Sequence, residues 1–102
     1  MEKTIGTKVI NFSEDGYMTD LSQWDKEIGI ELAKSEEIEM TDAHWEVIDY
    51  LQNQFKNDNA LSIRGIKKSG VVNIKEFYAL FPGGPLKIST KIAGIPKPKS
   101  CI

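Results

Sequence analysis

Thr41-Asp42-Ala43-His44-Trp45-Glu46-Val47-Ile48-Asp49-Tyr50-Leu51-Gln52-Asn53-Gln54-Phe55-Lys56 is the stretch on which the fold turns. Thr41 suits a helix N-cap, and Asp42 places a carboxylate at the positive end of the helix that follows. His44, Ile48, Leu51 and Phe55 recur at helical spacing and form one apolar stripe, flanked by Trp45 and Val47. Asn57-Asp58-Asn59 closes the helix.

Upstream, Leu21, Trp24, Ile28 and Leu32 form a second helical stripe, with Asp20 or Ser22 as its N-cap and Gly29 weakening its interior. Before it, residues 4–12 alternate loosely through Ile5, Val9 and Phe12, and Asp15-Gly16 makes a turn before Tyr17. This predicts a small hairpin or meander. Downstream, residues 60–68 predict a short third helix stopped by Ser69-Gly70. Asn73, with Glu76 three positions on, opens a fourth that presents Ile74, Phe77, Tyr78 and Phe81. Pro82-Gly83-Gly84-Pro85 must end that helix. The last twenty-one residues hold four prolines, three glycines and four lysines, which predicts an extended arm with no helix and little core. The division is therefore a globular domain over 1–81 and a Pro/Lys-rich arm over 82–102.

Bulk properties set the outer bounds. A chain of 102 residues, 40% hydrophobic and 27% charged, is one ordered domain that can bury a core without disulfides or a metal. The opening residues carry no apolar leader, and no apolar run approaches a bilayer span, so no membrane association is expected. One cysteine excludes an intramolecular disulfide and fits the reducing cytoplasm. Charge is divided along the chain. Residues 1–49 carry thirteen carboxylates against four lysines, and residues 50–102 carry nine lysines and arginines against two carboxylates. Composition favours two solvated faces of opposite sign; a basic arm seeking an acidic partner surface, a phosphate or a sulfur oxyanion is the functional alternative.

Several chemistries are excluded. One histidine and one cysteine cannot build a structural zinc site, and Gly83-Gly84 is not followed by the helix N-terminus of a phosphate loop, so no metal or cofactor is expected. His44 could pair with Cys101 as imidazolium and thiolate, but it lies on a helix stripe with no third orienting group and reads as structural. Residues 61–81 have the outline of a helix-turn-helix, with Arg64, Lys67, Lys68 and Lys75 nearby. The second helix offers apolar side chains where a base-reading helix would expose polar ones. A DNA-binding regulator is therefore the weaker alternative, and direct nucleic-acid binding is not expected.

Cys101 stands apart. A lone cysteine is usually a buried, inert small hydrophobe. This one follows Lys97-Pro98-Lys99-Ser100 at the end of a Pro/Lys-rich tail. Ammonium groups on Lys97 and Lys99, with Lys91 further back, would favour the nucleophilic thiolate. A polyproline-like stretch advances about 3.1 Å per residue, so a tail of this composition can deliver a thiol into a partner. Such a thiol could carry an acyl group or a sulfur, or could be an incidental tail residue.

Phe81-Pro82-Gly83-Gly84-Pro85, then Thr90-Lys91-Ile92-Ala93-Gly94-Ile95-Pro96-Lys97-Pro98 and the penultimate Cys101, resemble the C-terminal signature of the TusE/DsrC family of sulfur-relay proteins. Asp15-Gly16-Tyr17, Ser22-Gln23-Trp24, His44-Trp45-Glu46-Val47-Ile48 and Ile63-Arg64 extend the likeness upstream. The resemblance implies an α+β fold: a small N-terminal β-meander packed on an array of about four to five helices, with a helix-turn-helix-like pair, and an extended C-terminal arm. It implies that Cys101 takes sulfane sulfur as a persulfide from a protein donor of the TusBCD/DsrEFH type, with Arg64, Lys91 and Lys97 as electrostatic support. The acceptor would be a tRNA thiouridylase on the TusE side, or dissimilatory sulfite reductase on the DsrC side. The DsrC-type pattern has a second cysteine eleven positions before the penultimate one, where this chain has Thr90; that fits the TusE side. The Phe-Pro-Gly-Gly-Pro form is similar to DsrC-like members.

Overall fold

The computed structural model describes residues 2–59 and 61–96. Strands β1 (Glu2–Ile5) and β2 (Lys8–Asn11) pair antiparallel, with Ile5 opposite Lys8 and Glu2 opposite Asn11. Residues 6–7 are thus the hairpin turn, inside the segment that the alternation marks as one strand. The Asp15-Gly16 turn is a second one, which brings Phe12 and Met18 together as an isolated antiparallel bridge. The result is a meander.

A 3-10 turn over Leu21–Gln23 leads to α1 (Lys26–Ser35), α2 (Asp42–Lys56), α3 (Ile63–Ser69), α4 (Ile74–Leu80) and α5 (Pro85–Ile92). The α+β architecture is the one expected from the sequence. Among the described residues no helix is long and apolar enough to cross a membrane.

Side-chain caps decide most helix starts. Ser62 accepts from the Gly65 amide and Asn73 from the Glu76 amide, which place α3 and α4. The first helix begins later than its stripe suggests. Asp20 caps only the 3-10 turn, through the Ser22 amide, and Asp25 caps α1 through the Ile28 amide. Trp24 falls between the two caps in extended backbone.

The main core joins Val47, Ile48 and Leu51 of α2 to Ile66, Phe77, Phe81, Leu86, Ile92 and Ile95. A smaller cluster of Ile10, Phe12, Met18 and Ile28 lies under the meander, and Trp24 and Leu32 pack against both. Two stripe positions depart from expectation: Phe55 is 39% exposed at the end of α2, and Tyr78 on α4 is 49% exposed. Gln52 is buried instead. His44 is structural. Its Nδ1 accepts from the Thr41 amide at 3.0 Å, so Nε2 carries the proton and donates to the Leu80 carbonyl at 2.9 Å.

The expected arm is corrected over its described part. Residues 85–92 are helical, and Leu86, Ser89, Thr90, Ile92, Ala93 and Ile95 are buried. Pro82-Gly83-Gly84 does follow the end of α4 at Leu80. Gly84 then caps α5, against the expectation that no helix N-terminus follows Gly83-Gly84, and Pro85 takes the first helical position, where its missing N–H costs nothing.

Candidate functional site

Among the described residues, the C-terminus of α5 is the helix end that stands nearest Cys101 in sequence. The Ile95 amide donates to the Thr90 carbonyl and the Gly94 amide to the Lys91 carbonyl, both at 3.2 Å. This is the paired-bond ending in which the residue after the cap turns left-handed, and Gly94 has φ +73°. Two side chains from distant parts of the chain take the next carbonyls. Trp24 Nε1–H donates to Ile92 O and Gln52 Nε2–H to Ala93 O, each at 2.7 Å. The end of a buried helix thereby has its orphan acceptors satisfied without water.

Close approach enforces the same geometry. A Cβ at position 94 would lie 2.5 Å from Trp24 Cδ1, so only glycine admits the indole here. On the other side of that indole, a Cβ on Gly29 would meet Trp24 Cζ2 at 2.8 Å and Trp45 Cη2 at 3.3 Å. Gly29, which costs α1 helix propensity, is the notch into which Trp24 fits. The segment carrying Trp24 is itself tied down. The Gln23 side chain accepts from the Asn11 amide at 3.0 Å, and Lys8 on β2 pairs with Asp25. The Lys8 ammonium first, and then the Ile28 amide, hold the Asp25 carboxyl below the ordinary carboxylate range. The Ser22 hydroxyl, and after it the Ser22 amide, do the same for Asp20.

Of the four residues singled out in the sequence, Cys101 and Lys97 lie outside the described residues. Lys91, in the last turn of α5, reaches back over the Tyr17 ring, 5.3 Å from its centroid, and forms one wall of a cleft with Lys3 and Phe12. Arg64 is exposed on the first turn of α3 and has no ion pair among the described residues. No ion pair among the described residues includes Arg64 or Lys91. Thr90, expected on an extended arm, is fully buried on α5, and its hydroxyl donates to Leu86 O at 2.7 Å. The residues that sequence reading missed are Gln52 and the Trp24–Gly94 contact. A glutamine four positions after Ile48, on the buried side of α2, was the available sign of a buried polar partner. Nothing local announced that Trp24 would meet a backbone sixty-eight residues away.

Residues 4–102 match the family described as DsrC like protein. The chain belongs to the DsrC-like family. Within that family it is 41% identical over 101 residues to the sulfurtransferase TusE of Photorhabdus laumondii, covering 91% of each chain. Its fold superposes on the DsrC of Allochromatium vinosum with a TM-score of 0.84 at 30% identity, over the whole of both chains. The oxidized γ-subunit of the dissimilatory sulfite reductase from Archaeoglobus fulgidus, also a DsrC, matches over the whole of both chains with a TM-score of 0.81 at 33% identity. The DsrC-like fold therefore holds across relatives whose names attach to two different sulfur chemistries.

Proposed function

We propose that this DsrC-like chain is a cytoplasmic sulfur carrier whose working atom is the Sγ of Cys101. The observation that carries the reading is the union of family membership with a single thiol, six residues beyond the last buried core residue, Ile95. The thiolate attacks the outer sulfur of a donor persulfide. The donor's S–S bond breaks, a new S–S bond forms on Cys101, and the donor leaves as its thiolate, so no external oxidant or reductant is consumed. Delivery to an acceptor is the same exchange in reverse. The donor is a protein complex of the TusBCD/DsrEFH type.

For the acceptor, we favour the tRNA-thiolating branch. TusE relatives reach 41% identity, and position 90 holds a threonine where a two-cysteine partner of sulfite reductase would need its second thiol. The second reading, a partner of dissimilatory sulfite reductase, draws on the likeness to the Archaeoglobus fulgidus γ-subunit. The support assigned to Lys91, Lys97 and Arg64 belongs to this proposal. Lys91 is engaged over Tyr17, so of these three cations Lys97, four residues before Cys101, is the strongest candidate to stabilise the thiolate. Lys99 is closer still in sequence.

The test is intact mass after incubation with glutathione persulfide. One added sulfur atom is expected, removable by dithiothreitol and absent in Cys101→Ala, whose melting temperature should match the parent. Labile sulfur on the alanine variant, or none on the parent, would end the carrier reading.

A further inference from the structure

A groove of about 490 Å³ opens between the end of α1 and the start of α2, away from the α5 terminus. Its floor is apolar: Ile30, Ile38, Met40 and Trp45. Ile30 is 38% exposed, although it points from the same helix as the fully packed Ala33. The volume is in the range that receives ligands or peptide side chains.

The charged lining of the groove is Lys34, Glu37 and Glu39, and the surrounding sequence is acidic. Residues 26–49 carry the eight carboxylates of Glu27, Glu31, Glu36, Glu37, Glu39, Asp42, Glu46 and Asp49. They carry only two lysines, and both are engaged: Lys34 with Glu31, and Lys26 over the Trp45 ring, 5.0 Å from its centroid. Glu37 and Glu39 stand on the groove wall without an ion pair among the described residues. Lys26 is not part of that wall, yet its position shows that the Trp45 ring accepts a cation. Glu37 also holds a left-handed backbone, φ +60°, where glycine would be relaxed, so its carboxylate is kept at a conformational cost.

From this complementarity we infer that the groove is a docking site for a cationic segment of a partner protein, one that inserts aliphatic side chains onto Ile30, Ile38 and Met40 and sets Lys or Arg against Glu37 and Glu39. Apolar insertion supplies affinity, and the carboxylate rim selects the sign of the partner. The site is independent of the thiol chemistry, and Cys101→Ala should leave it intact.

The test uses the full-length protein under dithiothreitol and fluorescein-labelled peptides of about twelve residues: one of Leu and Lys, one of Leu and Glu, one of Ser and Lys. The Leu/Lys peptide should bind, with amide shifts centred on Ile30, Ile38, Met40 and Trp45. Glu37→Gln with Glu39→Gln should weaken it about three- to tenfold, as expected for two exposed charge pairs. Ile30→Ser should weaken it with the remaining amide spectrum unchanged, and added salt should weaken the parent complex. Equal binding of either control peptide, shifts centred elsewhere, or insensitivity to these substitutions would overturn the site. Groove shifts that follow protein concentration without peptide would assign it to a second copy of the chain and overturn it as well.

Discussion

Three helices of this protein end in the same hydrogen-bond pattern, and only one of them uses glycine. After α1 the Ile38 amide reaches Ala33 O and Glu37 reaches Lys34 O; after α2 the Asn59 amide reaches Gln54 O and Asp58 reaches Phe55 O. Glu37 and Asp58 take the left-handed turn with φ +60° and +59°, both exposed. After α5 the same turn falls on Gly94, buried against Trp24, with two further carbonyls bound by Trp24 and Gln52. An exposed ending tolerates a strained side chain because water and open space surround it. The α5 ending is over-determined, and among the described helix ends it is the one nearest Cys101 in sequence.

The sharpest way to break this comparison is Gly94→Ala. Left-handed strain and the collision with Trp24 together should cost about 2–5 kcal/mol. In a domain of this size that lowers the melting temperature by roughly 10 °C or more. A loss below about 1 kcal/mol would show that the Trp24 contact yields freely. Next in size is Gln52→Ala, which leaves the buried Ala93 carbonyl without its donor and should cost about 1–3 kcal/mol. Gln52→Glu should do no better, since a carboxylate has no hydrogen to give. Gln54→Ala on the same helix should stay within about 0.5 kcal/mol. Chemical denaturation of the four proteins measures all of this.

The smallest effects have the opposite sign. Glu37→Gly and Asp58→Gly should each stabilise by up to about 1 kcal/mol, by relieving the left-handed side chain. Only Glu37→Gly should also weaken the Leu/Lys peptide. If the two glycine variants behaved alike toward the peptide, Glu37 would be an ordinary helix end.

What the sequence disclosed follows the range of the forces involved. Thr41 to Lys56 was legible because cap, charge and stripe all lie within the helix they define. The meander was legible too, with its turn at Asp15-Gly16, but the alternation through Ile5 and Val9 hides a further two-residue turn at 6–7. The start of α1 was missed by several residues, since Asp20 and Asp25 are both competent caps and only the packing of Trp24 chooses between them. The largest miss was α5. Composition made residues 82–102 read as one arm, yet Leu86, Ser89, Ile92 and Ala93 repeat at helical spacing after a proline at its most favourable position. Its burial depends on partners in α1 and α2 that no local window contains. Cys101 was conspicuous in the sequence as the single thiol in a Pro/Lys-rich tail, and it lies outside the described residues.

The bond from Trp24 to Ile92 also orders events during synthesis. A ribosome delivers residues at about 5–20 per second, N-terminus first, so the indole waits seconds for the carbonyl it will bind. Until α5 has emerged, Trp24 and Gln52 lack the carbonyls they bind, although the meander can already pack on Ile28 and Leu32 of α1. Residue 101 is joined to the chain only after Gly94 and Ile95 have been. A product interrupted before residue 85 therefore lacks both α5 and Cys101, and a chain long enough to carry Cys101 already contains every described core residue.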